Sequence, residues 1–325
     1  MPSDFPPGVT REQVIIGYRM FFGRDPEDEA VIQAGQAAWP DLASMGRAMA
    51  VSAEFGARHG SNVYALPPLD APTNPVETDA APATLALLAE RNGAYWTRAG
   101  EAAPHWSVLT EERFLPQNIA ANLEAFYAAG AWDAQVLDAT LARIGRRADQ
   151  FRHCVDYGCG VGRVTLQLAR RFAQVTGLDI SAPHLHLATE TFRRAGFEHV
   201  TLTQVTPEEL MPLESCDFWY SRLVLQHCPP PVAMNILRRA FRALSTGGVA
   251  MFQIPVWSRD YSFDLKAYMA GTPGAEMEMH AIPQRAILEL ADFQGLVLRD
   301  LREDSFLTGR PSAALSNTFT FEKMR

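Results

Sequence analysis

A glycine-rich turn in the middle of the chain constrains the fold more than any other feature. It reads Gly158-Cys-Gly-Val-Gly162 and follows the short apolar run His153–Tyr157. Glycines at such a turn let the backbone bend sharply and approach a ligand more closely than a residue with a Cβ could. The sequence therefore predicts a β-strand, a tight turn and a helix, with a ligand held above the turn.

The rest of the C-terminal half repeats the alternation of short apolar runs and helical stretches, which is typical of parallel strands joined by helices. The predicted helices are Arg163–Arg171, Ala182–Ala195 and Val232–Leu244. The predicted strands are His153–Tyr157, Gln174–Asp179, His199–Thr203, Phe218–Ser221, Val249–Ile254, Leu296–Leu301 and Asn317–Glu322. The last two strands are close enough in sequence to pair, so we expect a seven-stranded, mostly parallel α/β sheet over residues 151–325.

The first half of the chain divides into three segments. Residues 1–64 carry helical apolar stripes and are predicted to form a small all-helical module. Residues 65–82 are rich in proline and are predicted to form a semi-rigid linker. Residues 83–150 are predicted to be a helical segment that covers the active site. Its predicted helices are Thr84–Glu90 and Asn118–Ile144.

Two carboxylates indicate the class of ligand. Asp179 ends the strand after the glycine turn, where a carboxylate can accept hydrogen bonds from both hydroxyls of a ribose, so a nucleoside-bearing cofactor is expected. A dinucleotide fingerprint reads Gly-x-Gly-x-x-Gly, whereas this turn reads Gly-x-Gly-x-Gly and is preceded by Asp156. An acidic side chain there suits a ligand with a cationic amino group better than a pyrophosphate. S-adenosyl-L-methionine, which carries an ammonium and a sulfonium group, is therefore favoured.

The charge balance bears on the partners. The net charge is −8, and an acidic chain lacks the general attraction to phosphates that nucleic-acid binders use, so no nucleic acid is expected. No apolar run is long enough for a membrane span, and the first residues do not read as a secretory signal, so a soluble, cytoplasmic protein is expected. The four cysteines show no Cys-x-x-Cys spacing, and no metal site is predicted.

The glycine turn, Asp179, the strand ending in Ser221, the Gly247-Gly248 turn and the late strand pair together resemble class I S-adenosylmethionine-dependent methyltransferases. The resemblance covers about residues 150–325 and implies a Rossmann-like fold. It also implies a set of cofactor-binding residues, namely Asp156, Gly158, Gly160, Asp179, Ile180, Gln204 and Ser221. Asp156 would orient the amino group of the cofactor, and Asp179 would hold its ribose.

A second, narrower resemblance rests on Arg222-Leu-Val-Leu-Gln-His-Cys-Pro, Phe252-Gln-Ile-Pro and Met279-His-Ala-Ile-Pro. These stretches are similar to bacterial methyltransferases of polysaccharide and glycoside gene clusters, which implies carbohydrate as the acceptor class and a sugar hydroxyl or similar small polar group as the site of O-methylation. The predicted catalytic bases are His227, His280 and His105, and the predicted substrate-binding residues are Trp106, Arg222, Trp257 and Tyr261. Each histidine could equally contact the backbone of a loop or lid, and the aromatic side chains could be packing residues. His184 is interpreted as a surface or helix residue.

Alternative functions remain open. The chain could be a small-molecule N-methyltransferase, or an interaction protein that binds S-adenosylmethionine without turnover. A nicotinamide oxidoreductase is less favoured, because the common Tyr-x-x-x-Lys pair is missing. The N-terminal pattern Tyr18-x-x-x-Phe22-Gly-Arg-Asp-Pro resembles a small helical domain of unknown function that bacteria attach to carbohydrate-active enzymes. That resemblance implies protein docking through residues 1–64.

Overall fold

The computed structural model describes residues 8–59, 73–271, 276–308 and 314–324. Contacts between Cα atoms divide the chain into two compact units, residues 1–66 and 67–325. The predicted boundary between the helical module and the linker, at residues 64 and 65, lies outside the described residues. The division of the chain into four segments therefore stays a prediction.

The first unit contains short helices packed around a small apolar core. The helices are α1 (Arg11–Phe22), α2 (Glu29–Ala38), α3 (Leu42–Ala50) and α4 (Ala53–His59). The first three begin at polar N-caps, because the side chains of Thr10, Asp28 and Asp41 each accept a hydrogen bond from a backbone N–H of the first turn. The core contains Val14, Phe22, Ile32, Met45 and Met49.

The second unit is built on a seven-stranded sheet, which confirms the predicted Rossmann-like α/β fold. The strands are β1 (His153–Tyr157), β2 (Gln174–Asp179), β3 (Val200–Gln204), β4 (Cys216–Ser221), β5 (Leu244–Ser258), β6 (Leu296–Glu303) and β7 (Ala314–Lys323). Their order in the sheet is β3-β2-β1-β4-β5-β7-β6. All pairs are parallel except those of β7, which runs antiparallel to both β5 and β6.

Helices cover both faces of this sheet. They are α5 (Pro82–Ala102), α6 (Ile119–Ala128), α7 (Gly130–Arg143), α8 (Thr165–Leu168), α9 (Ala182–Ala195), α10 (Pro230–Ala243), α11 (Leu265–Ala270) and α12 (Gln284–Phe293). Side chains alternate between faces along a strand, so Val155 and Trp219 pack with α10 and α12, while Cys154 and Phe218 pack with α7 and α8. Among the described residues, no helix has the length and apolarity that crossing a bilayer requires.

Three predicted helices differ from the observed ones, and two of the differences have a local cause. α5 continues past Glu90 to Ala102. Its glycines do not interrupt it, because they lie where the helix packs closely against the residues that follow β2: a Cβ at Gly93 would lie 2.7 Å from Ile180 Cδ1. The predicted helix Asn118–Ile144 is divided into α6 and α7 at Ala129. α8 is shorter than predicted, because the N–H groups of Arg170 and Arg171 bond three residues back instead of four.

Part of the predicted linker packs on the second unit. The Phe263 N–H donates to the Pro75 carbonyl, the Glu77 N–H donates to the Phe263 carbonyl, and Val76 forms a parallel bridge with Phe263. Asn74 bonds the backbone of Ser258 in both directions. Residues 74–77 therefore belong to the α/β unit, while residues 65–72 of the predicted linker lie outside the described residues.

Candidate functional site

A cavity of about 540 Å³ lies at the carboxyl ends of β1, β2 and β4. Its floor comes from the turns after these strands, and its cover comes from Trp96 of α5, the loop around Val108, residues Met277 and Met279, and the turn around Leu307. Ligand pockets of parallel α/β sheets are typically found at this edge. The volume lies within the range of about 300 to 1,000 Å³ that is usual for small-molecule sites.

The glycine turn has the geometry that its sequence predicts. Gly158 has a φ of +75° and Gly160 a φ of +55°, in the left-handed region that glycine favours. A Cβ on Gly158 would lie 2.3 Å from Val224 Cγ2, so no side chain fits between the turn and the loop after β4. Both glycines line the cavity, and the backbone of the turn is therefore open to a ligand.

Asp179 connects the turn to the end of β2. One carboxylate oxygen accepts from the Gly160 N–H at 2.8 Å, and the other accepts from the Ser181 N–H at 2.8 Å. Each oxygen retains a second lone pair, so the fixed carboxylate can still accept two hydrogen bonds from a ligand in the cavity. Ile180 lies beside it and contributes an apolar contact to the same cavity.

Asp156 is a buried carboxylate at the opposite end of the turn. It is 4% exposed and accepts a hydrogen bond from Thr165 Oγ1 at 2.6 Å. Burial raises its pKa to about 7, although the Thr165 hydrogen bond and nearby Arg163 act in the other direction. A cationic group entering the cavity here would favour the ionised carboxylate. These features fit S-adenosylmethionine. The glycine turn allows close contact of the ligand with the backbone, the free lone pairs of Asp179 fit the ribose hydroxyls, and Asp156 fits the amino group.

A charged cluster that the sequence did not predict borders the same end of the cavity. The buried carboxylate of Asp133, on α7, is shared by Arg163 Nη1 at 2.5 Å and Arg222 Nε at 2.8 Å. The Arg222 guanidinium also lies over the Trp132 ring, 4.7 Å from its centroid. The Tyr220 hydroxyl is buried and has no hydrogen-bond partner among the described residues. Both cations pair with the same carboxylate, while Asp156 lies near Arg163 and Asp304 near Arg222.

Of the three predicted histidine bases, only His227 lines the cavity. Its Nδ1 bonds the Glu278 carbonyl at 2.8 Å, and its Nε2 lies 3.0 Å from Gln226 Nε2. Burial lowers the pKa of His227 to about 4. His280 lies behind it, with its ring nitrogens bonded to the Tyr261 hydroxyl and the Glu278 carboxylate.

The other predicted residues lie around the cavity to different degrees. His105 packs edge-on against Phe126, and burial lowers its pKa. Arg222 lines the cavity, whereas Trp106, Trp257 and Tyr261 are half-buried outside its lining. Gln204 donates to the Ile180 carbonyl and Ser221 to the Tyr157 carbonyl, so these two side chains support the turns without lining the cavity.

His184, interpreted from the sequence as a surface or helix residue, lies on helix α9, where it is buried and lines the cavity. It is 2% exposed, and its Nε2 lies 2.9 Å from Ser107 Oγ and 3.2 Å from the Pro104 carbonyl. Ser107 and His184 both line the cavity, so this contact connects the covering loop to α9. No spacing rule indicated the pair, because its members are far apart in sequence. Among the described residues, no group of three His, Cys, Asp or Glu side chains is arranged to hold a metal ion.

The strand order, the antiparallel β7 and the glycine turn define a Rossmann-like class I S-adenosylmethionine-dependent methyltransferase domain. A family model for a methyltransferase domain matches residues 154–248. The chain therefore contains a class I methyltransferase domain, as the sequence predicted, and S-adenosylmethionine is the cofactor of that domain. The resemblance of residues 1–64 to a small helical domain stays a prediction.

Curated relatives match parts of the chain. A trans-aconitate 2-methyltransferase of Paracidovorax citrulli is 38% identical over 32% of this chain and 38% of its own length. A ubiquinone biosynthesis O-methyltransferase of Methylococcus capsulatus is 29% identical over 50% of this chain and 63% of its own length. The chain thus spans less than two thirds of these relatives.

A solved structure is similar over a larger share. It is the geranyl diphosphate C-methyltransferase of Streptomyces coelicolor in complex with Mg²⁺, geranyl diphosphate and S-adenosyl-L-homocysteine. It aligns with a TM-score of 0.51 and 16% identity, covering 73% of this chain and 98% of that chain. At this identity the similarity supports the fold alone.

Proposed function

We propose that this protein is an S-adenosylmethionine-dependent methyltransferase that methylates an oxygen atom of a small polar acceptor. The observation that carries the proposal is that one cavity is lined both by Gly158 and Asp179, at the end assigned to the cofactor, and by the covering residues Trp96 and Met279. One enclosed space can therefore hold a cofactor and an acceptor side by side. When bound, S-adenosylmethionine supplies a methyl carbon that its sulfonium activates for in-line displacement.

The residues of this chain would act mainly by alignment. Asp156 would hold the ammonium group and Asp179 the ribose hydroxyls, which fixes the direction of the methyl group. Trp96 and the loop around Val108 would exclude water and hold the acceptor against it. Alignment of two reactants contributes a large part of the rate of such displacements, whereas a positioned base adds about 10²- to 10⁴-fold.

A sugar hydroxyl is the acceptor that the sequence resemblance implies. A hydroxyl must lose its proton, and His227 supports this version because it alone among the three predicted bases lines the cavity. Its lowered pKa means that the ring is unprotonated at neutral pH and can accept a hydrogen bond. Its Nε2 is, however, already in contact with Gln226, which an acceptor hydroxyl would have to replace.

A carboxylate acceptor is the second candidate, and the arginine cluster favours it. Arg163 and Arg222 both line the cavity and share Asp133, so an acceptor carboxylate there could pair with two guanidinium groups. A carboxylate is already a nucleophile at neutral pH and needs no base. The similarity to enzymes named trans-aconitate 2-methyltransferase supports the same class.

The experiment incubates the full chain with S-adenosylmethionine and measures S-adenosylhomocysteine release against three acceptor classes: saccharides, small aliphatic di- and tricarboxylates, and amines. Arg222→Met is the matched variant, since Asp133 then retains Arg163 as its partner. If S-adenosylhomocysteine is released with carboxylates and Arg222→Met raises the KM for them, the second candidate is supported. If it is released with saccharides and Arg222→Met leaves that release unchanged, the first candidate is supported. Release with amines alone would contradict O-methylation. Cofactor binding without release in any class would support an interaction protein instead.

A further inference from the structure

A row of buried amide groups connects the strained backbone after β4 to His227. The Leu223 N–H donates to Gln253 Oε1 at 3.1 Å, and Gln253 Nε2 donates to Gln226 Oε1 at 3.0 Å. Gln226 Nε2 then lies 3.0 Å from His227 Nε2, and His227 Nδ1 lies 2.8 Å from the Glu278 carbonyl. These residues come from β5, from the 3₁₀ turn Leu225–His227 and from the segment after α11.

The direction of every hydrogen bond in this row follows from its two ends. A backbone N–H can only donate, so the Gln253 atom facing Leu223 is the carbonyl oxygen and its amide nitrogen faces Gln226. The Gln226 atom that receives this bond is therefore its oxygen, and its amide nitrogen faces His227. At the far end a backbone carbonyl can only accept. His227 must then carry its proton on Nδ1 and offer a lone pair at Nε2.

We propose that Gln253 is a positioning residue whose amide, acting through Gln226, fixes His227 as the neutral tautomer with its proton on Nδ1 and its Nε2 lone pair occupied. Gln226 and Gln253 are 4% and 1% exposed, so water does not compete for these bonds. Protonation at Nε2 would place an N–H against the Gln226 amide N–H groups. It would therefore require both amides to turn, which the Leu223 N–H opposes.

The backbone at the start of the row is held in an unfavourable conformation. Leu223 has a φ of +60°, in the left-handed region that residues with a side chain rarely adopt. Leu223 lines the cavity, so the bond from its N–H to Gln253 holds the cavity wall in this conformation. Gln253 also donates to Ser316 Oγ at 2.7 Å, which ties the row to β7.

The tautomer of His227 determines what this ring can do for an acceptor, an inference that rests on the proposed function. Both ring nitrogens of His227 bond within the protein, so the ring presents a C–H edge or face to the cavity. In this arrangement His227 shapes the pocket, and it could take the proton of a sugar hydroxyl only if that hydroxyl replaced Gln226 at Nε2. An acceptor that is already ionised, such as a carboxylate, needs no such transfer.

The test is nitrogen NMR of the full chain labelled with ¹⁵N-histidine, with the His227 signals assigned by their loss in His227→Asn. The wild type should show the Nδ1–H tautomer with no protonation near neutral pH. In Gln253→Glu both side-chain oxygens are acceptors, so the Gln226 amide should turn over, with its nitrogen facing residue 253 and its oxygen facing His227 Nε2. The pKa of His227 should then rise by about 1 to 3 units, the range that a nearby favourable group produces. Ser316→Ala is the matched control, and should leave tautomer and pKa unchanged.

An Nε2–H tautomer in the wild type would overturn the proposal. The proposal would also be overturned if Gln253→Glu folds and leaves the pKa of His227 unchanged. The same holds if Ser316→Ala shifts that pKa equally, because the effect would then not pass through the amide row. If Gln253→Glu does not fold, the same NMR measurement is made on Gln226→Met. It leaves Nε2 without its donor, while the Glu278 carbonyl still holds the proton on Nδ1. The pKa of His227 should therefore rise with no change of tautomer, and an unchanged pKa would again overturn the proposal. None of these readouts needs an acceptor or turnover, so failure of the relay is distinguishable from failure of the proposed function.

Discussion

Asp156 is the residue whose environment departs furthest from what its sequence position suggests. The motif indicates an ionised carboxylate beside a cationic ligand, yet burial raises its pKa to about 7, so near neutral pH it is protonated in a large fraction of molecules. A ligand ammonium beside it would stabilise the ionised carboxylate, so that the proton is lost to solvent. The identity and place of this acid can be read from the sequence. Its protonation depends on how far burial outweighs the opposing effects of Thr165 and Arg163 on its pKa, which no local pattern reports.

We predict that Asp156 makes the free protein less stable as pH rises. Its folded pKa exceeds the ordinary value of 3.8, so the stability it contributes is complete below about pH 4 and is lost as pH rises to about 7. The loss is up to about 4 kcal/mol. Urea unfolding at several pH values should therefore show a steeper decline for the wild type than for Asp156→Asn, which cannot titrate. Parallel pH profiles of the two proteins would contradict the raised pKa.

A substitution in the glycine turn should separate steric contact from backbone strain. Gly158→Ala introduces both, since φ is +75° and the Cβ would lie 2.3 Å from Val224. Gly196→Ala is the matched control, because its φ is +72° and a Cβ would meet nothing within 4 Å. The control should lose about 1 to 2 kcal/mol of stability and keep S-adenosylhomocysteine binding, whereas Gly158→Ala should lose more stability and weaken binding. Calorimetric binding and urea midpoints that are equal for the two variants would contradict the close approach at Gly158.

At the scale of elements, the helices that cover the sheet were harder to predict than the strands. β1 and β2 begin and end where their apolar runs do, because parallel strands are buried on both faces and local composition reports this directly. α5 was predicted to end at Glu90 and reaches Ala102, because Gly93 and Gly100 pack against Ile180 and Ser181 of the next layer. The Asp133–Arg163–Arg222 cluster also depends on three distant segments, so its existence is a property of the packing.

Removal of the shared carboxylate of that cluster should be costly. Asp133→Ala leaves two buried guanidiniums without their nearest anion, and breaking buried ion pairs in this way typically costs about 3 to 5 kcal/mol. The matched control is Asp149→Ala, which breaks an exposed pair with Arg147 and should have no measurable effect on the urea midpoint. Equal midpoints for the two variants would show that α7 is not held to the sheet by these ions.

At the scale of the whole molecule, the described residues that line the cavity all belong to the unit formed by residues 67–325. The order of motifs along the chain sufficed to predict the α/β class and its cofactor, since turn, acid and strands occur in sequence. The acceptor could not be derived in the same way, because the cavity is closed by Trp96, Met279 and Leu307, which come from three separate regions.

We therefore predict that a chain shortened to residues 67–325 binds S-adenosylhomocysteine as the full chain does. The reason is that both the glycine turn and the cover lie within that unit. Isothermal titration of both proteins provides the comparison. A shortened, folded chain that binds more than about tenfold more weakly, a loss of 1.4 kcal/mol, would show that residues 1–66 contribute to the site.

Calorimetric titration of the full chain with S-adenosylhomocysteine, and separately with NADH, tests the central claim most directly. We predict saturable binding of S-adenosylhomocysteine and weaker or no binding of NADH. Asp179→Ala should lose about 2 to 4 kcal/mol of binding free energy, because that carboxylate would no longer accept hydrogen bonds from the ribose. Tighter binding of NADH, or an unchanged affinity of Asp179→Ala for S-adenosylhomocysteine, would contradict the central claim.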